Sequence, residues 1–327
     1  MNKTFNIAGI TLKNRYVLAP LAGYSDYSLR NLCTFYGSSL NYTEMISAEA
    51  LVYNSKETIK DVEDTLLDKK FNKDSKLALQ LFGGKKDHIL QAIKILEKYS
   101  NYDFLDFNCG CPVNKVVKQN AGSAWLKRLD ELYSLLKEMV SISSKPVILK
   151  TRIGFSSILD IEDFVRNIEN TGVEAIAIHG RTRNELFSGD VHYDVIKRAK
   201  EVSSIPIIAN GSIDETNFLN VFNETKADAI MIGQKAVGYP KIFQDLINIE
   251  NNKPIIENTL ITQLNTLKKQ INIMYKIKDE RSASSILRSV SVKYLKGFES
   301  SSIIRRRLVQ AKSKEEYLTI IDELLNN

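Results

Sequence analysis

The chain has 327 residues, of which 43% are hydrophobic and 26% charged, with 15 Gly, 6 Pro and a formal net charge of +6. These proportions are typical of a folded globular protein, and they exclude a collagen, a coiled coil and a disordered chain. Three cysteines and three histidines are too few for a disulfide framework or a zinc site, so we expect free thiols and no metal.

Eight short apolar runs, each bounded by turn residues, are typical of β-strands. They are Tyr16–Ala19, Asn41–Ile46, Leu77–Phe82, Phe104–Phe107, Val147–Thr151, Ala175–Ile178, Pro206–Ala209 and Ala229–Ile232. Segments with helical spacing separate most of them, such as Asp87–Tyr99, Asp130–Ser141 and Asp160–Asn170. This alternation predicts an α/β fold, a (β/α)8 or TIM barrel. A doubly wound sheet is the alternative, which the lack of a G-x-G-x-x-G motif after the first strand disfavours.

After residue 256 the β pattern stops and long helical patterns follow. They are Leu260–Lys278, Ser282–Phe298 and Lys314–Leu325, with apolar stripes that include Ile271 and Met274. We therefore predict a TIM-barrel catalytic domain over residues 1–256 and a small, basic helical bundle over residues 257–327.

The positive charge is concentrated in the C-terminal part. Residues 257–327 carry 13 Lys and Arg against 8 Asp and Glu, whereas residues 1–256 carry 32 against 31. Between residues 281 and 312, one acid accompanies eight basic residues: Arg281, Arg288, Lys293, Lys296, Arg305, Arg306, Arg307 and Lys312. Such an excess indicates a polyanion partner such as a nucleic acid, and a solvated helix face is the alternative.

Polar residues follow many of the predicted strands, where a TIM barrel builds its site. These strand ends are Ala19-Pro20-Leu21-Ala22-Gly23, Gln80, Asn108-Cys109-Gly110-Cys111-Pro112, Lys150-Thr151-Arg152, His179-Gly180-Arg181-Thr182-Arg183, Asn210-Gly211-Ser212 and Gly233-Gln234. Taken singly, each has a structural or solvated role as its alternative. Lys150, however, follows an apolar run and is costly to bury unless it faces an anion. Glycines after the last two strands offer backbone N–H groups, so the set predicts a phosphate-bearing cofactor.

Five motifs in this order resemble those of the dihydrouridine synthases, and most of all their bacterial type B branch. They are Ala19-Pro20-Leu21-Ala22-Gly23, Asn108-x-Gly-Cys111-Pro112, Lys150-x-Arg152-x-Gly154, His179-Gly-Arg181-Thr and Ala209-Asn-Gly-Ser. The resemblance implies an FMN-binding barrel with a helical RNA-binding domain. It also implies NADPH-driven reduction of uridine to 5,6-dihydrouridine, with tRNA as the expected RNA.

The resemblance also implies how the uracil ring is reduced. Hydride passes from the reduced flavin to C6, and Cys111 supplies the proton at C5. A thiol with an unperturbed pKa of about 8.5 is mostly protonated at neutral pH, so it can act as a general acid. Cys109 is the second thiol of the motif, and we expect it to be buried and structural.

The resemblance assigns the other strand-end residues to the cofactor and the RNA. Around the flavin it places Pro20, Leu21 and Ala22 beneath the ring, Gln80 as a hydrogen-bond partner, Lys150 and His179 at the pyrimidine end, and Asn210, Gly211, Ser212, Gly233 and Gln234 at the phosphate. It places Asn108 and Arg152 at the uracil edge, and Arg181 and Arg183 on the RNA. Phe187 offers an aromatic face to the base or belongs to the core or a lid.

The sequence departs from the family pattern in three places. Gln234 and Lys235 stand where Gly-Arg is usual, so an interaction with the phosphate is missing or moves to Lys235. Ser212 replaces a frequent Asp, and Ser289-Val290 replaces Lys-His after Arg288. Because the last change lies in the predicted RNA-binding domain, ribosomal RNA is the alternative substrate.

Two further functions compete with RNA reduction. An FMN barrel acting on a free pyrimidine metabolite leaves the basic C-terminal helices unexplained. An RNA-binding protein that has lost catalysis leaves Cys111, Lys150 and His179 unexplained. No apolar run approaches the roughly 20 residues that span a bilayer and no signal peptide is evident, so we expect a cytoplasmic protein without a membrane partner.

Overall fold

An antiparallel hairpin, β1 (Phe5–Ile7) and β2 (Ile10–Leu12), precedes a ring of parallel strands in the computed structural model, which describes residues 3–66, 75–298 and 301–326. Within these residues the ring has eight strands: β3 (Tyr16–Leu18), β4 (Leu40–Tyr42), β6 (Lys76–Phe82), β7 (Phe104–Cys109), β8 (Val147–Arg152), β9 (Ile176–His179), β10 (Ile207–Asn210) and β11 (Ala229–Ile232). The short β5 (Ile46–Ser47) pairs with the end of β6. Because β11 pairs with β3, the ring is closed and the predicted TIM barrel is confirmed.

Helices follow most ring strands and cover the outside of the barrel. They are α1 (Tyr27–Phe35), α2 (Ala48–Val52), α3 (Lys56–Thr65), α4 (Lys86–Leu96), α5 (Asn114–Val117), α6 (Leu129–Ile142), α7 (Ile161–Glu169), α8 (Tyr193–Val202), α9 (Phe218–Thr225) and α10 (Ile242–Glu250). Two 3-10 turns, Gly122–Lys127 and Gln234–Ala236, lie between them. Each long helix buries one apolar stripe, as α6 does with Leu132, Leu135 and Met139.

Side chains alternate between the two faces of each strand, which separates the two layers of the core. On β7, Phe104 belongs to the apolar cluster inside the barrel. Phe107 and Cys109 belong instead to the cluster between the strands and the helices. The same alternation turns Asp106 and Asn108 inwards, so polar groups lie above an apolar plug at the C-terminal end of the barrel.

The chain after the barrel forms helices with a core of their own. They are α11 (Leu260–Ile277), α12 (Glu280–Tyr294), α13 (Ser301–Gln310) and α14 (Lys314–Leu325). Leu267, Leu287 and Tyr317 are fully buried in this second core. Helical spacing did not predict α13, in which Ile303 is 71% exposed and three consecutive arginines interrupt the apolar pattern. The domain boundary at residue 256 lies between α10 and α11 and stays a prediction.

The side-chain amides of Gln263 and Gln270 on α11 hydrogen-bond to the barrel. Gln270 Nε2 donates to Ser28 Oγ at 3.0 Å, while its Oε1 accepts from the Tyr294 hydroxyl at 2.6 Å. Gln263 Nε2 donates to the carbonyl of Gly238 at 2.8 Å. Gln263 and Gln270 are buried, so these hydrogen bonds fix how α11 lies on the barrel. Over the described ranges, every helix is too short or too polar to serve as a membrane span.

Candidate active site

Strand register brings polar residues from four neighbouring strands together at one end of the barrel. Asn108 on β7 lies opposite Lys150 on β8. His179 on β9 lies opposite both Arg152 on β8 and Asn210 on β10. Asn108, Arg152, His179 and Asn210 are all buried. The structure therefore places these five predicted site residues at one mouth.

Lys150 and His179 differ in charge. Lys150 donates from Nζ to Asn210 Oδ1 at 3.1 Å, and desolvation together with the charge of Arg152 lowers the pKa of Lys150 to about 8. Desolvation and the charges of Lys150, Arg152 and Arg181 lower the pKa of His179 to about 2. At neutral pH Lys150 is mostly cationic and His179 is a neutral imidazole. Of the two residues predicted at the pyrimidine end of a flavin, Lys150 is therefore the cationic one, and the contact of either residue with a flavin stays a prediction.

The two thiols of the motif lie in different surroundings. Cys109 is fully buried between strands and helices, and burial raises its pKa to about 12. Cys111 is only partly buried; its N–H donates to Asn108 Oδ1 at 2.9 Å, and its carbonyl accepts from Ser123 N and Oγ at 3.1 and 2.9 Å. Burial also raises the pKa of Cys111, against the charges of Arg152 and Lys150. Cys111 is therefore the thiol that carries its proton at the mouth of the barrel.

Gln80 and Asn108 bond to each other, and Gln80 also bonds to an acid that sequence analysis did not single out. Asn108 Nδ2 donates to Gln80 Oε1 at 2.9 Å, and Gln80 Nε2 donates to Asp106 Oδ2 at 2.7 Å. The amide of Asn108 also contacts Met45 Sδ at 3.6 Å. Its oxygen and one amide hydrogen are thus engaged within the protein. The feature of the sequence that could have identified Asp106 is an acidic residue within a predicted strand that is otherwise largely apolar.

Arg152 anchors the loop that follows β9. Its Nε donates to the carbonyl of Gly110 at 3.0 Å, and its Nη1 donates to the carbonyls of Thr182 and Leu186 at 2.8 and 2.7 Å. Phe187, the next residue, is 60% exposed. The structure thus places Arg152 under an exposed aromatic ring, and its contact with the uracil edge stays a prediction.

The same loop is closed by Glu185. Its carboxylate accepts from the backbone N–H of Thr182 at 2.6 Å and contacts His192 Nε2 at 2.7 Å. Desolvation raises the pKa of Glu185, but the hydrogen bonds from His192 and Thr182 outweigh it and lower the pKa to about 2. Sequence analysis missed this residue because its partners lie in the folded loop. The carboxylate of Glu185 thus joins Thr182 and His192, which lie on either side of Phe187 in the chain.

The two arginines predicted to contact RNA are bonded within the protein. Arg181 is buried; its Nη2 donates to the carbonyl of Gly189 at 2.7 Å and to Ser212 Oγ at 3.0 Å. Arg183 bonds to Asn114 Oδ1 from the surface. Arg181 is therefore turned towards the predicted phosphate end of the site, and the contact of either arginine with RNA stays a prediction.

Glycines shape the ends of β10 and β11. Gly211 has φ +125° and Ser212 has φ +46°, both in the left-handed region. A Cβ on Gly211 would lie 2.9 Å from His179 Cδ2, whereas a Cβ on Gly233 would meet no atom nearer than the Cβ of Ala19, at 3.9 Å. The chain therefore bends closely past His179 and leaves open space above β11.

Gln234 and Lys235, which depart from the family pattern after β11, lie at the surface. Gln234 is exposed. Lys235 Nζ lies 2.7 Å from Glu215 Oε1 and 3.9 Å from Asp214 Oδ2. A phosphate bound by Lys235 would have to compete with these two carboxylates.

The first strand end forms one edge of the mouth. Pro20 and Leu21 are partly buried and Ala22 is exposed. The N–H of Gly23 bonds to the carboxylate of Glu44, which sequence analysis also missed. Burial raises the pKa of Glu44, and the charge of Asp26 raises it further. Pro20 and Leu21 therefore offer an apolar edge that suits the underside of a flat ring.

These residues fit a flavin that carries a phosphate. Lys150 supplies a cation held by Asn210 for the ring, and Gly233 leaves open space in which a phosphate could approach the backbone. Lys150 and His179 would meet the ring, and Asn210, Gly211, Ser212 and Gly233 would meet the phosphate. Gln80, predicted as a hydrogen-bond partner of the ring, is fully buried and its amide bonds to Asp106 and Asn108, so its contact with the ring stays a prediction.

The basic residues of the C-terminal helices fall into two groups. Arg305 Nη2 donates to the carbonyl of Leu295 at 2.7 Å, and Arg307 pairs with Glu323 at 2.5 Å. The other six of the predicted set are exposed: Arg281, Arg288, Lys293, Lys296, Arg306 and Lys312. These six are the basic surface that a polyanion would contact.

Comparison with known proteins gives one consistent family. The model of the family described as dihydrouridine synthase (Dus) matches residues 17–327. A tRNA-dihydrouridine synthase B of Pasteurella multocida is 32% identical over 324 residues, which cover 98% of this chain and 95% of the relative. The tRNA-dihydrouridine synthase B of Escherichia coli K12 is 37% identical over 238 residues, 72% of each chain. A probable tRNA-dihydrouridine synthase of Aquifex aeolicus is 30% identical and covers 95% of this chain and 96% of the relative.

Two solved structures share the fold. A complex of TcOYE with pHBA has a TM-score of 0.55 at 15% identity, over 80% of this chain and 95% of its own. A variant of NCR from Zymomonas mobilis has a TM-score of 0.54 at 12% identity, over 80% and 94%. At these identities the likeness concerns the barrel fold alone.

Proposed function

This chain belongs to the dihydrouridine synthase family, and from that premise we propose that it reduces uridine to 5,6-dihydrouridine in tRNA, with FMN as cofactor and NADPH as reductant. One observation carries the proposal. The thiol of Cys111 is protonated and partly exposed, and it lies close enough to Lys150 and Arg152 for their positive charges to act on it. A proton donor and a cationic flavin site at one mouth suit the reduction of an activated double bond.

Reduction adds one hydride and one proton across C5=C6 of the uracil. The chemistry that FMN would supply when bound, once NADPH has reduced it, is the hydride for C6. The Cys111 thiol gives its proton to C5, and the resulting thiolate is reprotonated from solvent because Cys111 is partly exposed. Burial favours the neutral thiol, so Cys111 enters each turnover in the protonated form that a general acid needs.

Lys150 and His179 interact with the flavin and transfer no proton to the substrate. The Lys150 ammonium is oriented by Asn210 Oδ1 and stabilises negative charge on the cofactor. His179, neutral at physiological pH, can accept or donate a single hydrogen bond. Arg152 fixes the loop that carries Phe187, so the aromatic ring stands where an extruded base would enter.

A uridine in folded RNA must leave its stack to reach this mouth. Unstacking costs a few kcal/mol, which phosphate contacts elsewhere must offset. The exposed basic residues of α12 and α13, with Arg288 and Arg306 among them, support this role. A free pyrimidine metabolite would need no such surface.

The test uses the purified full chain with FMN, NADPH and unmodified tRNA transcripts, followed by nucleoside digestion and mass spectrometry. We expect dihydrouridine in tRNA, and none without FMN. Ribosomal RNA fragments and free uracil are assayed in parallel. Dihydrouridine in ribosomal RNA alone would contradict the choice of tRNA, and turnover of free uracil alone would contradict an RNA substrate. A protein that binds tRNA but no flavin would contradict catalysis.

A further inference from the structure

Asp106 is an acid inside the barrel with no role in the chemistry described so far. It is fully buried on the inner face of β7, where its strand register pairs it with Gln80. Its Oδ1 has no hydrogen-bond partner among the described residues, while its Oδ2 accepts from Gln80 Nε2. A buried carboxylate is costly, so its position between Phe104 and Asn108 calls for an explanation.

Four residues form a directed chain of hydrogen bonds from this acid to the thiol loop. Gln80 Nε2 donates to Asp106 Oδ2 at 2.7 Å. Asn108 Nδ2 donates to Gln80 Oε1 at 2.9 Å. The N–H of Cys111 donates to Asn108 Oδ1 at 2.9 Å, and the N–H of Gly110 donates to the same oxygen at 3.2 Å.

The groups at the two ends of this series of hydrogen bonds allow only one orientation of the Asn108 amide and one of the Gln80 amide. Backbone N–H groups can only donate, so Asn108 must turn its oxygen towards Cys111 and its NH2 towards Gln80. Gln80 must then turn its oxygen towards Asn108 and its NH2 towards position 106. An acceptor is therefore required at position 106, because Gln80 is fully buried and has no access to water there.

We propose that Asp106 is a positioning residue: as a hydrogen-bond acceptor it fixes the amides of Gln80 and Asn108, and through them the backbone that carries the Cys111 thiol. Asn108 on this view holds the thiol loop as well as facing the substrate. The catalytic consequence rests on the proposed function, whereas the effect on the position of Cys111 does not.

Two substitutions of Asp106 test whether it acts as a hydrogen-bond acceptor. Asp106→Leu removes the acceptor and leaves the Gln80 NH2 buried without a partner. Asp106→Asn keeps an acceptor oxygen and removes the ionisable carboxyl group, whose pKa burial raises well above its ordinary value. If acceptance is what matters, the asparagine variant behaves like the unmodified protein and the leucine variant does not. If the charge facing Lys150 is what matters, both variants fail alike.

Alkylation by iodoacetamide reports on Cys111 without any need for activity. Cys33 and Cys109 are fully buried, so the native protein reacts at Cys111, and peptide mass spectrometry locates the adduct. With Asp106→Leu we expect the alkylation rate at Cys111 to rise severalfold, because the loop is released. We expect kcat for dihydrouridine formation to fall about tenfold, the size expected when one buried hydrogen-bond partner is removed, with an unchanged KM for tRNA.

A matched control lies at the start of the same strand. Asp103 is also a buried carboxylate, and its Oδ2 accepts from the N–H of Leu77 at 2.9 Å, far from the thiol. Asp103→Leu should lower thermal stability and leave alkylation at Cys111 unchanged. Equal alkylation in the Asp106→Leu variant and the unmodified protein would overturn the proposal. So would equal effects of Asp103→Leu and Asp106→Leu, or of Asp106→Asn and Asp106→Leu.

Gln80→Met covers the case in which Asp106→Leu does not fold. It breaks the next link and removes the acceptor for Asn108 Nδ2, so faster alkylation of Cys111 is again expected. A normal alkylation rate in Gln80→Met would overturn the proposal. An unmodified protein that makes no dihydrouridine contradicts the proposed function, whereas the alkylation results still decide the role of Asp106.

Discussion

The ammonium of Lys150 donates a hydrogen bond to Oδ1 of Asn210 at 3.1 Å and so joins two strands, β8 and β10, that are not neighbours in the barrel. Asn210 Nδ2 donates in turn to the carbonyl of Met231 at 2.8 Å, which fixes the amide oxygen on the side of Lys150. A buried cation is thus held at the mouth before any anion arrives. Such preorganisation favours binding of a negatively charged cofactor.

The pH dependence of FMN binding should follow the charge of Lys150. Desolvation lowers its pKa to about 8, so the cation is present below pH 8 and is lost above it. The affinity for FMN should therefore fall as the pH rises from 7 to 9, by about threefold to tenfold for an attraction of the order of 1 kcal/mol. Titration of FMN with the protein, followed by the quenching of flavin fluorescence, measures this affinity at each pH. In Lys150→Met the affinity should be lower at pH 7 and nearly constant over this range, and an equal slope in both proteins would contradict the assignment.

The two cysteines of the motif form a natural pair for testing the general acid. Cys111→Ala should retain FMN and slow dihydrouridine formation about 10²- to 10⁴-fold, the usual contribution of a positioned acid. Cys109→Ala should keep the rate and lose some thermal stability, because it leaves a cavity beside Phe107 in the core. Single-turnover assays with mass spectrometry give the rates, and thermal denaturation gives the stability. Similar rates for the two variants would remove Cys111 from the mechanism.

The barrel and the gathering of its strand ends could be predicted because both depend on local patterns. Apolar runs of four to six residues mark the strands, and strand ends of a closed parallel barrel must share one mouth. Lys150 and Cys111 were identifiable for this reason. Cys109 was expected to be the buried, structural thiol of the motif, and it lies in the outer core.

Partners that are distant in the chain could not be predicted in this way. Glu215 binds Lys235 20 residues away, and the carbonyl of Gly110 binds Arg152 42 residues away. Which donors reach which acceptors depends on loop conformation, and a single sequence carries no signal for it. The sequence shows Asp106 as an acidic residue within an apolar strand. The role proposed for it depends on Gln80, which lies beside it only in the folded barrel.

Binding of RNA should depend strongly on salt and on the exposed arginines of α12. Arg281 and Arg288 lie seven residues apart, on one side of the helix, and both are exposed. The double variant Arg281→Gln, Arg288→Gln should weaken tRNA binding and reduce the slope of log affinity against log salt by about 0.7 to 0.9 for each phosphate that an arginine no longer neutralises. Fluorescence anisotropy at several salt concentrations measures the slope. Arg307→Gln is the control, because Arg307 already pairs with Glu323. An unchanged slope in the double variant would show that RNA lies elsewhere.

An exposed aromatic ring beside the mouth should stack on the extruded base. Phe187 is 60% exposed, and its ring centroid lies 6.2 Å from that of His179 and 5.3 Å from the guanidinium carbon of Arg152. Stacking of a base on an aromatic side chain contributes about 1–3 kcal/mol, so Phe187→Ala should lower kcat/KM for tRNA about 5- to 150-fold. Phe187→Tyr should retain most of it.

Exposure of the ring also predicts what Phe187→Ala leaves unchanged. The melting temperature should stay close to that of the unmodified protein, because little apolar area is removed from the core. Phe35 is the matched control: its ring is 65% exposed at the C-terminal end of α1, just before β4 begins and thus at the opposite end of the barrel. Phe35→Ala should keep both kcat/KM and stability. A large loss of stability in Phe187→Ala would instead assign the ring to the core, and equal kinetics in the two variants would remove it from base recognition.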